Sequence, residues 1–238
     1  MAKNNHENGN VLWIILLAVA LLGLLTGIVS RNSSSVDQAG DVEKNRIKAA
    51  AMLRYAKSVE AAIQRMMLHG VSENDLDFLA FGPTYDNANC NKDDCDIFNM
   101  AGGGIEYKSP SDIVNISGYT SGWNVSTGNR VYQFGCDDAD NSCTELLLLA
   151  SNIPKSVCLQ INRIQGITNP GDDAPQQTEI IEGTTYDGSY STTVNSASIG
   201  GTNTTTESPQ AAGKSAGCVF EFGGSQDKYH FYHVLIAR

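Results

Sequence analysis

The side chains in this sequence best suited to chemistry are its six cysteines: Cys90 and Cys95, Cys136 and Cys143, and the distant Cys158 and Cys218. Thiols in pairs form disulfides, and thiolates in clusters hold soft metal ions. Zinc ligands come as tightly spaced Cys-x-x-Cys or Cys/His units, a pattern these positions, with no histidine beside them, do not follow. The residues between the close partners are rich in Asp and Asn and read as short hairpins. Local bridges Cys90–Cys95 and Cys136–Cys143 are therefore the simplest solution, leaving Cys158 to join Cys218. Disulfides imply an oxidising compartment outside the cytoplasm.

Other residues invite chemical readings that their spacing weakens. His230 and His233 lie three apart in a strand-like run, which points them to opposite faces; one core-edge and one surface histidine are expected, not a metal pair. Asp137 to Asn141 offer hard oxygen ligands but lack the glycine and distal glutamate of an EF-hand loop, so a solvated acidic hairpin is preferred over a calcium site. Gly102, Gly103 and Gly104 read as a tight turn, because no phosphate-loop lysine or helix follows them. No Gly-x-Ser-x-Gly or His-Glu-x-x-His signature occurs. The expectation is a non-catalytic protein with no metal and no cofactor.

The formal net charge is −10, and the chain beyond Arg31 carries 14 basic against 25 acidic side chains. Such a surface repels phosphate backbones, and no nucleic-acid partner is expected.

The elements that position these residues begin with an uncharged run, Val11 to Val29 (VLWIILLAVALLGLLTGIV), long enough to cross a bilayer core as a helix. It exceeds the apolar stretch of a cleaved secretory signal, and Ile28-Val29-Ser30 is a poor cleavage site, so retention in membrane lipid is expected. Basic residues after the span would keep the following domain in the cytoplasm; the paired cysteines argue for export, and export is the reading adopted. After a polar stretch from Arg31 to Gly40, Val42, Ala49, Leu53, Ala56, Val59, Ile63, Met66 and Met67 recur mostly at helical spacing, and charged residues including Glu60 fill the other faces. Gly70 closes the pattern. If the polar stretch is also helical, the element is roughly 90 Å long.

The organisation expected is a leader at 1–9, a transmembrane helix at 10–31, an amphipathic helix at 32–70 and an extracytoplasmic domain at 71–238. That domain reads as α+β: a mainly antiparallel sheet packed on the long helix, with a second short helix, braced by disulfides. Strands are expected at Gly104–Lys108, Gly122–Ser126, Arg130–Gly135, Glu145–Ala150, Glu179–Glu182, Cys218–Phe222 and Tyr229–Ala237. The short helix is expected over Pro154–Gln165, with Asn152 as N-cap and Gly166 beyond its end. Residues 184–217, rich in Ser, Thr and Gly, read as an exposed loop with little surface to bury.

The hydrophilic leader ending in Gly9, the apolar helix that starts at once and the amphipathic continuation resemble a type IV prepilin. The segment GNVLWIILLAVALLGLLTGIVS and the closing YHFYHVLIAR also resemble a group of uncharacterised bacterial proteins with pilin-like N-termini. The resemblance, over roughly residues 1–70, implies cleavage between Gly9 and Asn10 by a prepilin peptidase and assembly with other pilin-like subunits. It places the protein in the inner membrane as a single-pass protein with its domain in the periplasm, or in a surface filament. The sequence departs from the family at Asn10, where a phenylalanine is usual, and at Ile14, where a glutamate is usual. Two further readings stay open: a membrane-anchored binding module that never polymerises, and a tethered hydrolase.

Overall fold

The computed structural model describes residues 8–115, 122–136, 143–177, 184–192, 199–201, 208–221 and 228–238. Helix α1 runs Asn8–Leu68 and includes the polar stretch. Side chains within α1 are described for residues 12–26 and from residue 40 onward. Gly9 and Asn10 fall in the first turn, and the surroundings of residues 9–11 and 27–29 are outside what the structure describes. Among the described residues no helix is long and apolar enough to cross a membrane.

The chain divides into two compact units, residues 1–44 and 45–238. In the first, every large apolar side chain described from Leu12 to Leu25 is exposed. The second is an α+β domain. Its sheet has the order β1–β2–β5–β4–β3, with β1 Trp123–Ser126, β2 Leu146–Ala150, β3 Gln176–Gln177, β4 Ala216–Glu221 and β5 Lys228–Ile236. All pairings are antiparallel except β3 with β4. Two further helices are α2, Pro110–Val114, and α3, Lys155–Gln165.

Residues 45–68 of α1 press a stripe of Ala49, Met52, Ala56, Val59, Ile63 and Met66 into the main core, against β-strand side chains such as Val125, Leu146, Leu148 and Phe231. Each large apolar side chain fully buried there contributes about 1.5–3 kcal/mol. Val42 and Met67, expected in the stripe, are exposed. The helix ends as expected at Gly70 (φ 96°), where Val71 N–H donates to Met66 O and Gly70 N–H to Met67 O. These are the two bonds of a Schellman motif. Helix α3 ends in the same way at Gly166. Its N-cap is Pro154 and not Asn152, whose positive φ of 57° places it in the preceding turn.

Two expected strands are absent. Gly104–Lys108 forms no ladder because side chains satisfy its backbone: Lys108 N–H donates to Tyr55 Oη and Lys108 O accepts from Trp123 Nε1. Arg130–Gly135 is broken by positive φ at Gln133 and Gly135, and retains only a parallel bridge from Val131 to Ile199. The expected Glu179–Glu182 strand lies outside the described residues. The described parts of the 184–217 stretch are anchored, against expectation. Tyr186 is fully buried in the main core, while Ile199 and Ala211 join Leu147, Leu149, Val219 and Tyr232 in a second core on the opposite sheet face.

The triple glycine makes the expected turn, and its middle residue has no room for a side chain: a Cβ on Gly103 would lie 2.1 Å from Ile97 O. Gly103→Ala is expected to cost about 1–3 kcal/mol, a fall of roughly 2–10 °C in Tm. A thermal melt unchanged from the parent would show that this turn shifts freely.

Candidate functional site

The three cysteine pairs are bridged as expected, Cys90–Cys95, Cys136–Cys143 and Cys158–Cys218, with no free thiol. The last joins α3 to β4 with both residues fully buried. One helical turn beyond Cys158, Asn162 secures the same junction. Its Nδ2 donates to Cys218 O at 2.9 Å, and its Oδ1 accepts from Cys218 N–H at 2.8 Å. A side-chain amide thus pairs with the outer edge of β4 as a neighbouring strand would. Asn169 orients it, its Oδ1 accepting from the same Nδ2 at 2.8 Å. An asparagine four positions after a buried cysteine on the helix's core face was the available signal for this clamp.

Both histidines of β5 are buried, so neither is the expected surface residue. They do occupy opposite faces. His230 faces the second core, between Ser151 just past β2 and Glu221 at the end of β4. Its Nδ1 lies 2.9 Å from Ser151 Oγ and its Nε2 2.8 Å from Glu221 Oε2. The register explains the row: Ala150 pairs with Phe231 and Val219 with His230, which brings the three residues to one face. A hydroxyl, an imidazole and a carboxylate in line are the parts of an acyl-transfer site. The cleft that opens beside the sheet is lined by His233 and not by this row, and the row's observed effect is to tie three strands together.

His233 faces α1. Its Nε2 lies 2.7 Å from Glu60 Oε2, and Glu60 Oε1 accepts from Lys57 Nζ at 2.6 Å and Gln64 Nε2 at 3.0 Å. Burial pushes the Glu60 carboxyl up, but hydrogen bonds from His233 and Lys57 outweigh it and hold the group below the ordinary glutamate value of 4.5. The ionised carboxylate therefore accepts the Nε2 proton, and His233 Nδ1 is buried with no hydrogen-bond partner among the described residues. The adjoining cleft, of about 430 Å³, is walled by Ala50, Leu53, Arg54 and Lys57 of α1, Ile164 and Gln165 of α3, and Ser215 and Ala216 at the start of β4. Glu60, expected on a solvated face, is 9 % exposed. Its place three or four residues from Ala56 and Ile63 was the signal that it lies on the packing side.

Among the described residues no group of three or more His, Cys, Asp or Glu side chains is placed to hold a metal ion; Asp137 to Asn141 lie outside them. No protein-family model, no curated protein and no solved structure matches this chain.

Proposed function

We propose that this chain is a structural subunit or minor component of a type IV pilus-like filament or secretion pseudopilus, assembled through its N-terminal helix and carrying no catalytic activity. The observation that supports this is the division of labour along α1. From Leu12 to Leu25 its large apolar side chains are exposed, whereas from Ala49 to Met66 it buries a stripe in the disulfide-braced domain. A helix apolar on all sides needs lipid or other helices around it. Ala18, Ala20 and Gly23 are the small residues that permit close helix approach in a bilayer. On this reading the run from Val11 to Val29 sits in the inner membrane, the oxidised domain lies in the periplasm or on the cell surface, and the partners are prepilin peptidase and other pilin-like subunits.

N-terminal sequencing of the protein recovered from membranes tests it. The expected mature chain begins at Asn10, after loss of the leader ending in Gly9. Recovery of an intact Met1 would overturn the prepilin route and leave a plain membrane-anchored module.

A further inference from the structure

The domain carries a knob and a socket that do not meet within one chain. The socket is the cleft between α1 and α3. Its floor is apolar, with Leu53 and Ala216 buried and Ile164 43 % exposed, and its rim is cationic. Arg54 and Lys57 stand exposed on the α1 side, and Lys214 lies by α3, its Nζ donating to Gln165 O at 3.2 Å. Glu60 divides its carboxylate between His233 and Lys57, whose Nζ lies 2.6 Å from Oε1, so Arg54 and Lys214 are the rim cations with no carboxylate partner among the described residues.

The knob is Met100, 88 % exposed in a segment built to hold it out. Cys90–Cys95 closes the base of that segment. Asp96 Oδ1 accepts from Phe98 N–H at 2.8 Å, Asn99 Oδ1 from Ala101 N–H at 3.0 Å, and Asp96 O from Gly103 N–H at 3.0 Å. A Cβ on Gly102 would lie 2.9 Å from the carbonyl oxygens of Asp93 and Asp94, so the turn carrying Met100 rests on these two residues, both exposed. The knob is an unbranched, adaptable apolar side chain on a turn packed against the backbone of two exposed aspartates. It complements a socket that is apolar in the middle and cationic at the rim.

The charges of the whole sequence run the same way. Residues 44–65 hold six basic side chains against one acidic, and residues 71–238 hold 8 basic against 21 acidic. Negative charge on a partner is favoured beside Arg54 and Lys214, and the chain's own domain supplies it.

We propose that the socket receives Met100 and the Asp93–Asp94 carboxylates of a second copy of this chain. The inference rests on the filament reading for the presence of that copy. Within one molecule the knob is held near the end of α1, where Arg65 Nη2 donates to Gly103 O, while the socket flanks Ala50–Lys57. Lys57 and Arg65 are about 12 Å apart along the helix axis. Knob and socket are different surfaces, so a single contact leaves a free knob on one copy and a free socket on the other, and on the filament reading the contact repeats head to tail from copy to copy. The pre-formed turn reduces the entropy lost on docking, and the charge pairing sets the register.

The test uses the full chain in its native membranes, with a photo-reactive phenylalanine in place of Met100. Irradiation is expected to yield a self-adduct whose cross-linked peptides contain residues 50–57 or 164–165. Charge exchange provides a second measurement. Arg54→Glu and Asp94→Arg, each alone, are expected to cut the adduct at least tenfold, and the two together in one chain to restore it. Adducts that map elsewhere, or a double variant no better than the singles, overturn the contact. If the apolar helices still cross-link into oligomers in that case, the filament reading survives; loss of all self-association removes both.

Discussion

Replacing Cys158 and Cys218 together with alanine is expected to lower stability by about 4 kcal/mol, against about 2 kcal/mol for either local bridge. In the chain-entropy model the constraint on the unfolded chain grows with the enclosed loop, and the separations are 60, 5 and 7 residues. Both cysteines are fully buried, so the truncated pair also leaves a gap between α3 and β4. The Asn162 amide remains to hold the junction, so the helix is expected to loosen and not to separate. Denaturant unfolding of the double variants measures the difference, and limited proteolysis reads where the chain opens. Cleavage is expected first around β4 and β5. Equal losses for the long-range and the local bridges would show that the 60-residue loop is already constrained in the unfolded chain.

Removing the Glu60 carboxylate is the second large perturbation. Glu60→Ala strips His233 Nε2 of its acceptor and leaves both ring nitrogens buried without partners, at an expected cost of about 3 kcal/mol. Glu60→Gln keeps the shape and removes the titration. A carboxyl held low in the folded state favours folding above its unfolded value, and that contribution disappears as pH falls through the lower folded value. The advantage of the parent over Glu60→Gln should therefore be full at neutral pH and shrink below about pH 4.5. Urea midpoints for the two proteins across pH 3 to 7 give the comparison. A gap between them that stays constant with pH would mean that His233 and Lys57 do not hold the Glu60 carboxyl below its ordinary value.

The parts of the fold legible in the sequence are those carried by repetition or by punctuation. The α1 stripe, the glycines that end α1 and α3 and the apolar strands β2 and β5 follow from periodicity or residue type, and the three cysteine pairings are the simplest of the fifteen that six cysteines allow. Strand β3 was not readable: Gln176–Gln177 has no apolar alternation and pairs only because β4 lies beside it. Helix α2 did have a signal, since Ser109 caps it through a bond from Asp112 N–H and Pro110 opens it, but five residues are too few to show a period. The site was harder to read because its polar members sit inside apolar patterns. Phe231, His233 and Leu235 alternate onto the core face of β5, and the histidine looks like an interruption until Glu60 is placed opposite. Pairing across 173 residues is a product of tertiary structure that no local window contains.

The Asn162 clamp has a consequence for how copies of this domain can adhere. A sheet edge with free N–H and C=O groups recruits strands from other molecules, in donor-strand exchange as in amyloid. Here the β4 flank is occupied first by the two-residue β3 and then by the Asn162 amide. At the other flank, Tyr186 N–H donates to Val125 O and Thr127 N–H to Thr184 O. Among the described residues neither margin offers an unbroken ladder to a newcomer, which works against strand addition at these edges. It favours association of copies through side chains and helices, by contacts that can be released without unfolding the sheet.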